Sequence, residues 1–400
     1  MSPWQAPGAP TPPLSALMNA REARGVVKAA RVLCWLRQDL RCHDNAVLLA
    51  AAAAAKEKGG DASVLPVFCF NPSTYSATLP LTGCEKTGAC RAQFMRESVV
   101  DLKNRLRALG SDLYVAVGEP EAVLAELAGG EPTAVLTHGE ACTEEVDAEV
   151  AVANALMARN GDSLLVRLEG GFTMYDERDL PFELRQMKDV FTPVRHKVED
   201  KCEVRASFAA PKTGTLPLGA LEAAAGSAEN AEVPSLEAIG VDAEVAAEAR
   251  GEVHPLAALD FHGGESEALK RVKYYLWETD KASTYFDTRN GMLGGDYSTK
   301  FEPWLSAGCL SPRHVYAELI KYESARVANK STYWIRFELL VRDWFRWYVR
   351  STALLTPTPL SHTLLNRAVA TPPRTRRFLP IASFAKTVAR LLPLVRAKSK

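Results

Sequence analysis

Residues 31–59 read RVLCWLRQDLRCHDNAVLLAAAAAAKEKG. After Arg31 the next five residues, Val32 to Leu36, are an uncharged, apolar run of strand length, suited to burial on both faces. From Asp44 the pattern turns helical, with Asp44 as the capping residue and glycines after Lys58 as the stop. A strand feeding a helix through a polar loop is half of a βαβ unit, and the unit recurs. SVLPVFCF (63–70) is the next apolar run, ACRAQFMRESVVDLKNRLRALG (89–110) a long amphipathic helix, and SDLYVAVG (111–118) a strand. EPEAVLAELAGG, TAVLTH, EEVDAEVAVANALMARNG and SLLVRLEG continue the alternation through residue 170. Strands alternating with helices imply right-handed crossovers, so residues 31–169 are expected to form an α/β domain with a doubly wound, five-stranded parallel sheet.

Residues 170–261 pass into an Ala, Gly, Glu and Pro-rich stretch with few aromatics, which reads as an interdomain linker. From residue 262 to 349 long aromatic-bearing helical patterns follow, a partial all-helical domain. Beyond Val349 no helical stripe is sustained, and no acid occurs after Asp343, leaving residues 350–400 as a basic tail. Residues 1–30 carry a single acid, Glu22, among Pro, Ala and Arg; a transit peptide and a disordered leader both fit.

The 400 residues are 47% hydrophobic, ample for two buried cores, and the formal charge of +0 argues neither for nor against a polyanionic partner. Eight cysteines at irregular spacing, with no C-x-x-C and no paired histidines, read as reduced thiols and give no metal site. No apolar run is long enough for a membrane span.

Four places bear chemistry. At the end of the first strand Arg37, Asp39, Arg41 and Asp44 lie where open parallel sheets bind ligands, although an Arg–Asp39 pair and an Asp44 cap would serve structure alone. GGDYSTKFEPWLSAGCLSP (294–312) sets glycines, hydroxyls and Lys300 before a helical run. Ser298 and Thr299 are either helix caps or part of an anion site. In FELLVRDWF (337–345), Glu338 and Arg342 are four apart and could form an intrahelical ion pair. Glu140 follows the fourth strand, near a helix N-terminus.

In this order, R-x-D-L-R-x-x-D-N, GGDYSTKFEPWL and FELLVRDW resemble the photolyase and cryptochrome family, and the second segment is similar to the flavin-binding stretch of its DASH branch. The resemblance spans about residues 31–349 and implies flavin adenine dinucleotide (FAD) held by Tyr285, Ser298, Thr299, Lys300, Phe301, Glu302 and Arg342. It implies contact of Arg289 and Arg342 with DNA, preferentially single-stranded, and a catalytic Glu338 facing flipped lesion bases and the cofactor. It also implies a second chromophore, 5,10-methenyltetrahydrofolate, whose pterin Glu140 would bind. The activity implied is light-driven repair of cyclobutane pyrimidine dimers, or blue-light reception, by a monomer. The leader would direct it to chloroplast or mitochondrion; otherwise cytoplasm or nucleus is expected.

Two residues depart from the family pattern: Glu302 stands for a serine and Val341 for a tryptophan expected to stack on the lesion. The family's helical domain also continues far beyond the position matching Val349. The resemblance therefore implies a C-terminally truncated chain with substoichiometric flavin, little photochemistry, and exposed apolar faces around Trp334, Trp344 and Trp347. The rival expectation is a light-insensitive binding or regulatory module that retains only the α/β domain.

Overall fold

The computed structural model describes residues 12–249, 251, 253, 257–291 and 294–355. Two short helices, α1 (Leu14–Leu17) and α2 (Ala20–Lys28), precede the alternating elements. These run β1 (Arg31–Leu36), α3 (Ala46–Lys58), β2 (Val64–Phe70), α4 (Pro72–Tyr75), α5 (Ala89–Ala108), β3 (Tyr114–Val117), α6 (Pro120–Ala128), β4 (Thr133–His138), α7 (Thr143–Arg159) and β5 (Leu164–Leu168). The five strands are parallel in the order β3-β2-β1-β4-β5, the doubly wound arrangement expected.

Side-chain alternation in β1 divides the core. Val32, Cys34 and Leu36 face the layer of α3 and α5, and Leu33 and Trp35 face Leu124 of α6 and Val152 of α7. Helix α3 is buried along most of its length, and its run of alanines lets it lie close against the sheet. Its cap is Asn45, whose side chain accepts from the Val47 and Leu48 amides, so Asp44 is not the capping residue. Asp44 instead has φ 48 and forms a buried pair with Arg313 at 2.7 Å, a partner too distant in sequence to be foreseen.

Two segments expected to stand apart from the fold belong to it. The leader is folded from Leu14 onward: Leu14 and Val26 are buried, and the Lys58 ammonium donates to the carbonyls of Ala29 and Ala30. Its first eleven residues lie outside the described residues. The stretch 170–261 carries α8 (Phe191–Lys201), α9 (Glu222–Ala225) and α10 (Ala243–Ala249), and it packs on the sheet domain rather than spanning a gap. Leu216, Leu221, Leu236 and Ile239 are buried, and Asn230 accepts from the Val115 amide, covering the open edge of β3. Such contacts, made by single apolar residues without helical or strand period, leave no pattern in the sequence.

The helical part comprises α11 (Glu265–Lys273), which runs into a π-type turn over Tyr274–Glu278, then α12 (Tyr285–Thr288), α13 (Glu302–Ala307), α14 (Pro312–Ala325) and α15 (Lys330–Leu355). Helix α15 continues past the boundary expected at Val349, and residues from 356 on, with most of the basic tail, lie outside the described residues. Trp347 is fully buried, contrary to the exposed face expected of it; Trp334 and Trp344 are partly buried, and Phe345 is exposed.

Candidate functional site

The loop after β1 mostly ties the two parts together. Asp39 accepts from the Arg37 amide and pairs with His138 at 2.7 Å, so neither arginine side chain is its partner. Arg41 is buried and donates to the carbonyls of Gly308, Asp44 and Gly171. Of the four residues expected at a crevice, Arg37 alone lines one. Its guanidinium lies over Trp35, pairs with Glu149 at 2.6 Å and donates to the His138 carbonyl.

That crevice is a cavity of about 1080 Å³ at the carboxyl ends of the strands, where the order reverses between β1 and β4. Trp35, Arg37, Glu140 and Glu145 line it from the sheet side, and Phe261 and Glu302 from the helical side. Glu140 is 5% exposed. One of its oxygens, Oε2, pairs with Arg346 at 3.1 Å; the other, Oε1, is buried without a partner among the described residues. Burial and the nearby Glu140 and Glu144 charges raise the pKa of Glu145, whose Oε2 is likewise unpartnered. A buried acceptor is normally satisfied, so these atoms fit a ligand bearing N–H groups, as the pterin edge of a folate does.

The glycine-rich segment before α13 is held from behind. Arg271 of α11 donates to the carbonyls of Gly295, Ser298 and Thr299 and reaches Asp296 at 3.4 Å, which also accepts from the Tyr274 hydroxyl. With these carbonyls engaged, the half-buried Ser298 and Thr299 hydroxyls and the Lys300 ammonium make no hydrogen bond or ion pair among the described residues. Lys300 has φ 56. Neither hydroxyl caps a helix: the residue before α13 is Phe301, which is buried against Tyr275 and makes no side-chain cap. Unengaged hydroxyls and a cation on a carbonyl-clamped loop fit an anionic diphosphate. Glu302 is exposed and lines the interdomain cavity.

Helix α12 brings three further expected residues together. Tyr285 is buried, and burial together with the charge of Glu338 pushes its hydroxyl up to about 12. Arg289 pairs with Glu338 at 3.2 Å, and its guanidinium lies 4.9 Å from the centre of the Trp334 ring. Arg342 does not pair with Glu338. Its guanidinium instead donates to the carbonyls of Phe172 and Leu305, and burial lowers its pKa. Nearby on α15, Asp343 accepts from the Met174 and Tyr175 amides, and Arg350 pairs with Glu169 and Glu177.

Sequence reasoning missed Arg271, Asp343 and Arg346. Nothing in the sequence marks Arg271. For Arg346 there was a signal, because Arg342, Arg346 and Arg350 recur every four residues and so share one helical face.

Residues 32–213 match the family model of DNA photolyase. The chain is 45% identical over 332 residues to a cryptochrome DASH, chloroplastic/mitochondrial, of Ostreococcus tauri, covering 80% of this chain and 60% of that protein. It is 41% identical over 319 residues to a cryptochrome DASH of Xenopus laevis, covering 79% of this chain and 56% of the relative. Among solved structures, a cryptochrome of Synechocystis sp. PCC6803 superposes with a TM-score of 0.69 at 34% identity, covering 80% of this chain and 61% of that one. A bacterial class III photolyase of Agrobacterium tumefaciens shares the fold, with a TM-score of 0.56 at 22% identity over 82% of this chain and 60% of that one. The chain belongs to the photolyase and cryptochrome family, within its cryptochrome DASH branch. It spans 60% of the length of the Ostreococcus relative.

Proposed function

We propose that this chain is a DASH-type flavoprotein that binds FAD and acts, under blue light, on cyclobutane pyrimidine dimers in single-stranded DNA or as a photoreceptor through the same cofactor. The observation that carries this reading is the carbonyl-clamped loop whose Ser298, Thr299 and Lys300 donors are unengaged among the described residues, together with the meeting of α12 and α15 that gathers Tyr285, Arg289 and Glu338. The hydroxyls and the ammonium would take the diphosphate, with Phe301 fixing the loop to the core and Tyr285 closing the pocket. FAD, when bound, would supply the light-absorbing electron donor. Arg289 would grip a DNA phosphate, and Glu338 would face the extruded bases and hydrogen-bond them. Arg342, bound to two carbonyls, would act by docking α15 rather than by touching the cofactor.

The interdomain cavity is the site of a second chromophore in this reading, a folate whose pterin donates to Glu140. The protein acts as a monomer, and the names of its plant and algal relatives support an organelle location, chloroplast or mitochondrion. Among the described residues no helix is long and apolar enough to cross a membrane.

The test is the visible absorption of the purified chain after incubation with FAD. Bound flavin is expected, with affinity reduced roughly tenfold when the Ser298 and Thr299 hydroxyls are removed together by alanine substitution. A chain that takes up no flavin would instead favour a light-insensitive binding module.

A further inference from the structure

We propose that Arg346 is a positioning residue for the ligand of the interdomain cavity: it grips the Glu140 carboxylate by one oxygen and so presents the other to the bound molecule. The inference rests on reading that cavity as a second-chromophore site.

Glu140 is fixed through its backbone first. Its amide donates to Glu149 Oε1 at 3.0 Å, and its carbonyl accepts from Arg167 at 3.2 Å. Glu149 is in turn buried between Arg37 and Arg167. The side chain is then set by a residue from the other part of the molecule. Arg346 Nη1 pairs with Oε2 at 3.1 Å, and its Nη2 donates to the Gly139 carbonyl at 2.7 Å. The guanidinium also lies over Phe172, 4.1 Å from the ring centre. Held by a carboxylate, a carbonyl and an aromatic face, Arg346 has little freedom, and Glu140 inherits that rigidity.

The consequence is chemical selectivity. With Oε2 engaged, Oε1 is an acceptor out of water with nothing to accept from among the described residues, a costly state unless a ligand donates to it. Glu145, on the same wall, pairs with no arginine at its carboxylate among the described residues, and burial favours its neutral form. The ion-paired Glu140 is therefore where the cavity reads an N–H edge, and the ligand class is a fused heteroaromatic ring with amide or amino donors on that edge. Because Arg346 lies on α15, the reading is completed only when the helical part is docked on the sheet domain.

The experiment titrates the full chain with 5,10-methenyltetrahydrofolate, following absorption and fluorescence of the bound folate, for the wild type, Arg346→Met and Arg346→Lys. Thermal melts report whether each variant is folded. Arg346→Met is expected to weaken binding about tenfold and to shift the absorption maximum of bound folate toward that of free folate. Arg346→Lys is expected to recover part of both effects, since it keeps the charge and loses the two-pronged grip. A folded Arg346→Met chain with wild-type affinity and spectrum overturns the inference while leaving the cavity reading intact. If that variant does not fold, Arg346→Lys decides, and wild-type affinity and spectrum in it overturn the inference. A wild-type chain that binds no folate overturns the cavity reading, and this inference with it.

Discussion

Arg289 is held by Glu338 before any phosphate reaches it, so the Glu338 carboxylate and a DNA phosphate compete for one guanidinium. A DNA phosphate must displace the carboxylate, and removing the carboxylate's charge should help it. Glu338→Gln is therefore expected to tighten binding of a single-stranded oligonucleotide at low salt by up to about fivefold, which corresponds to a half-exposed ion pair of about 1 kcal/mol. Arg289→Ala is expected to weaken it and to flatten its salt dependence. Fluorescence anisotropy measures both. Weaker binding by Glu338→Gln would show that the carboxylate does not restrain Arg289. At this scale the sequence was partly legible. Tyr285, expected at the cofactor, Arg289, expected at DNA, and Glu338, expected at both, lie together where α12 meets α15. The helical spacing that suggested a Glu338–Arg342 pair was outweighed by carbonyls of distant chain, at Phe172 and Leu305, which local sequence does not reveal.

At the scale of elements, the loop after β1 and the end of α13 meet in a close backbone contact. Gly308 has φ 72, and a Cβ there would lie 1.7 Å from the Gln38 carbonyl oxygen. Gly308→Ala should thus cost about 2 to 5 kcal/mol, through strain at positive φ and through backbone overlap. Chemical denaturation measures it; a loss within about 0.5 kcal/mol would mean that the loop yields easily. Docking of α15 also carries a pH dependence. Burial pushes the Asp343 carboxyl up from 3.8 to about 7, against the amides of Met174 and Tyr175 and the charge of Arg342, which favour its ionised form. A folded-state value above the unfolded one means that this group's contribution is fully present below about pH 4 and is lost as pH rises through about 7. The slope is at most about 1.4 kcal/mol per pH unit. Asp343→Asn should remove most of this decline, and thermal melts between about pH 5 and about pH 8 would show it as a flatter profile. An unchanged profile would assign the dependence to other groups. The strands of the sheet were readable because each is an apolar run bounded by turn residues. The cap of α3 was not: Asp44 and Asn45 are adjacent and equally suited, and Arg313 decides between them.

Across the whole molecule, a parallel sheet with its flanking helices meets a helical layer, and α15 serves both sites with different residues along its length. Glu338 reaches Arg289, while Arg342, Asp343, Arg346 and Arg350 bind the sheet domain and the wall of the cavity. The alternation of elements made this two-part architecture legible in the sequence. The contribution of residues 170–261 was not legible, because its buried residues are dispersed among small and polar ones. The central claim is that the loop bearing Ser298, Thr299 and Lys300 holds a flavin. The most direct test is the visible spectrum of the purified 400-residue chain, equilibrated with FAD and freed of excess, compared with that of the Ser298→Ala/Thr299→Ala double variant. The account predicts protein-bound flavin absorption in the blue and near-ultraviolet for the wild type and roughly tenfold weaker uptake by the variant. A colourless wild-type chain, or equal uptake by the two, would contradict it.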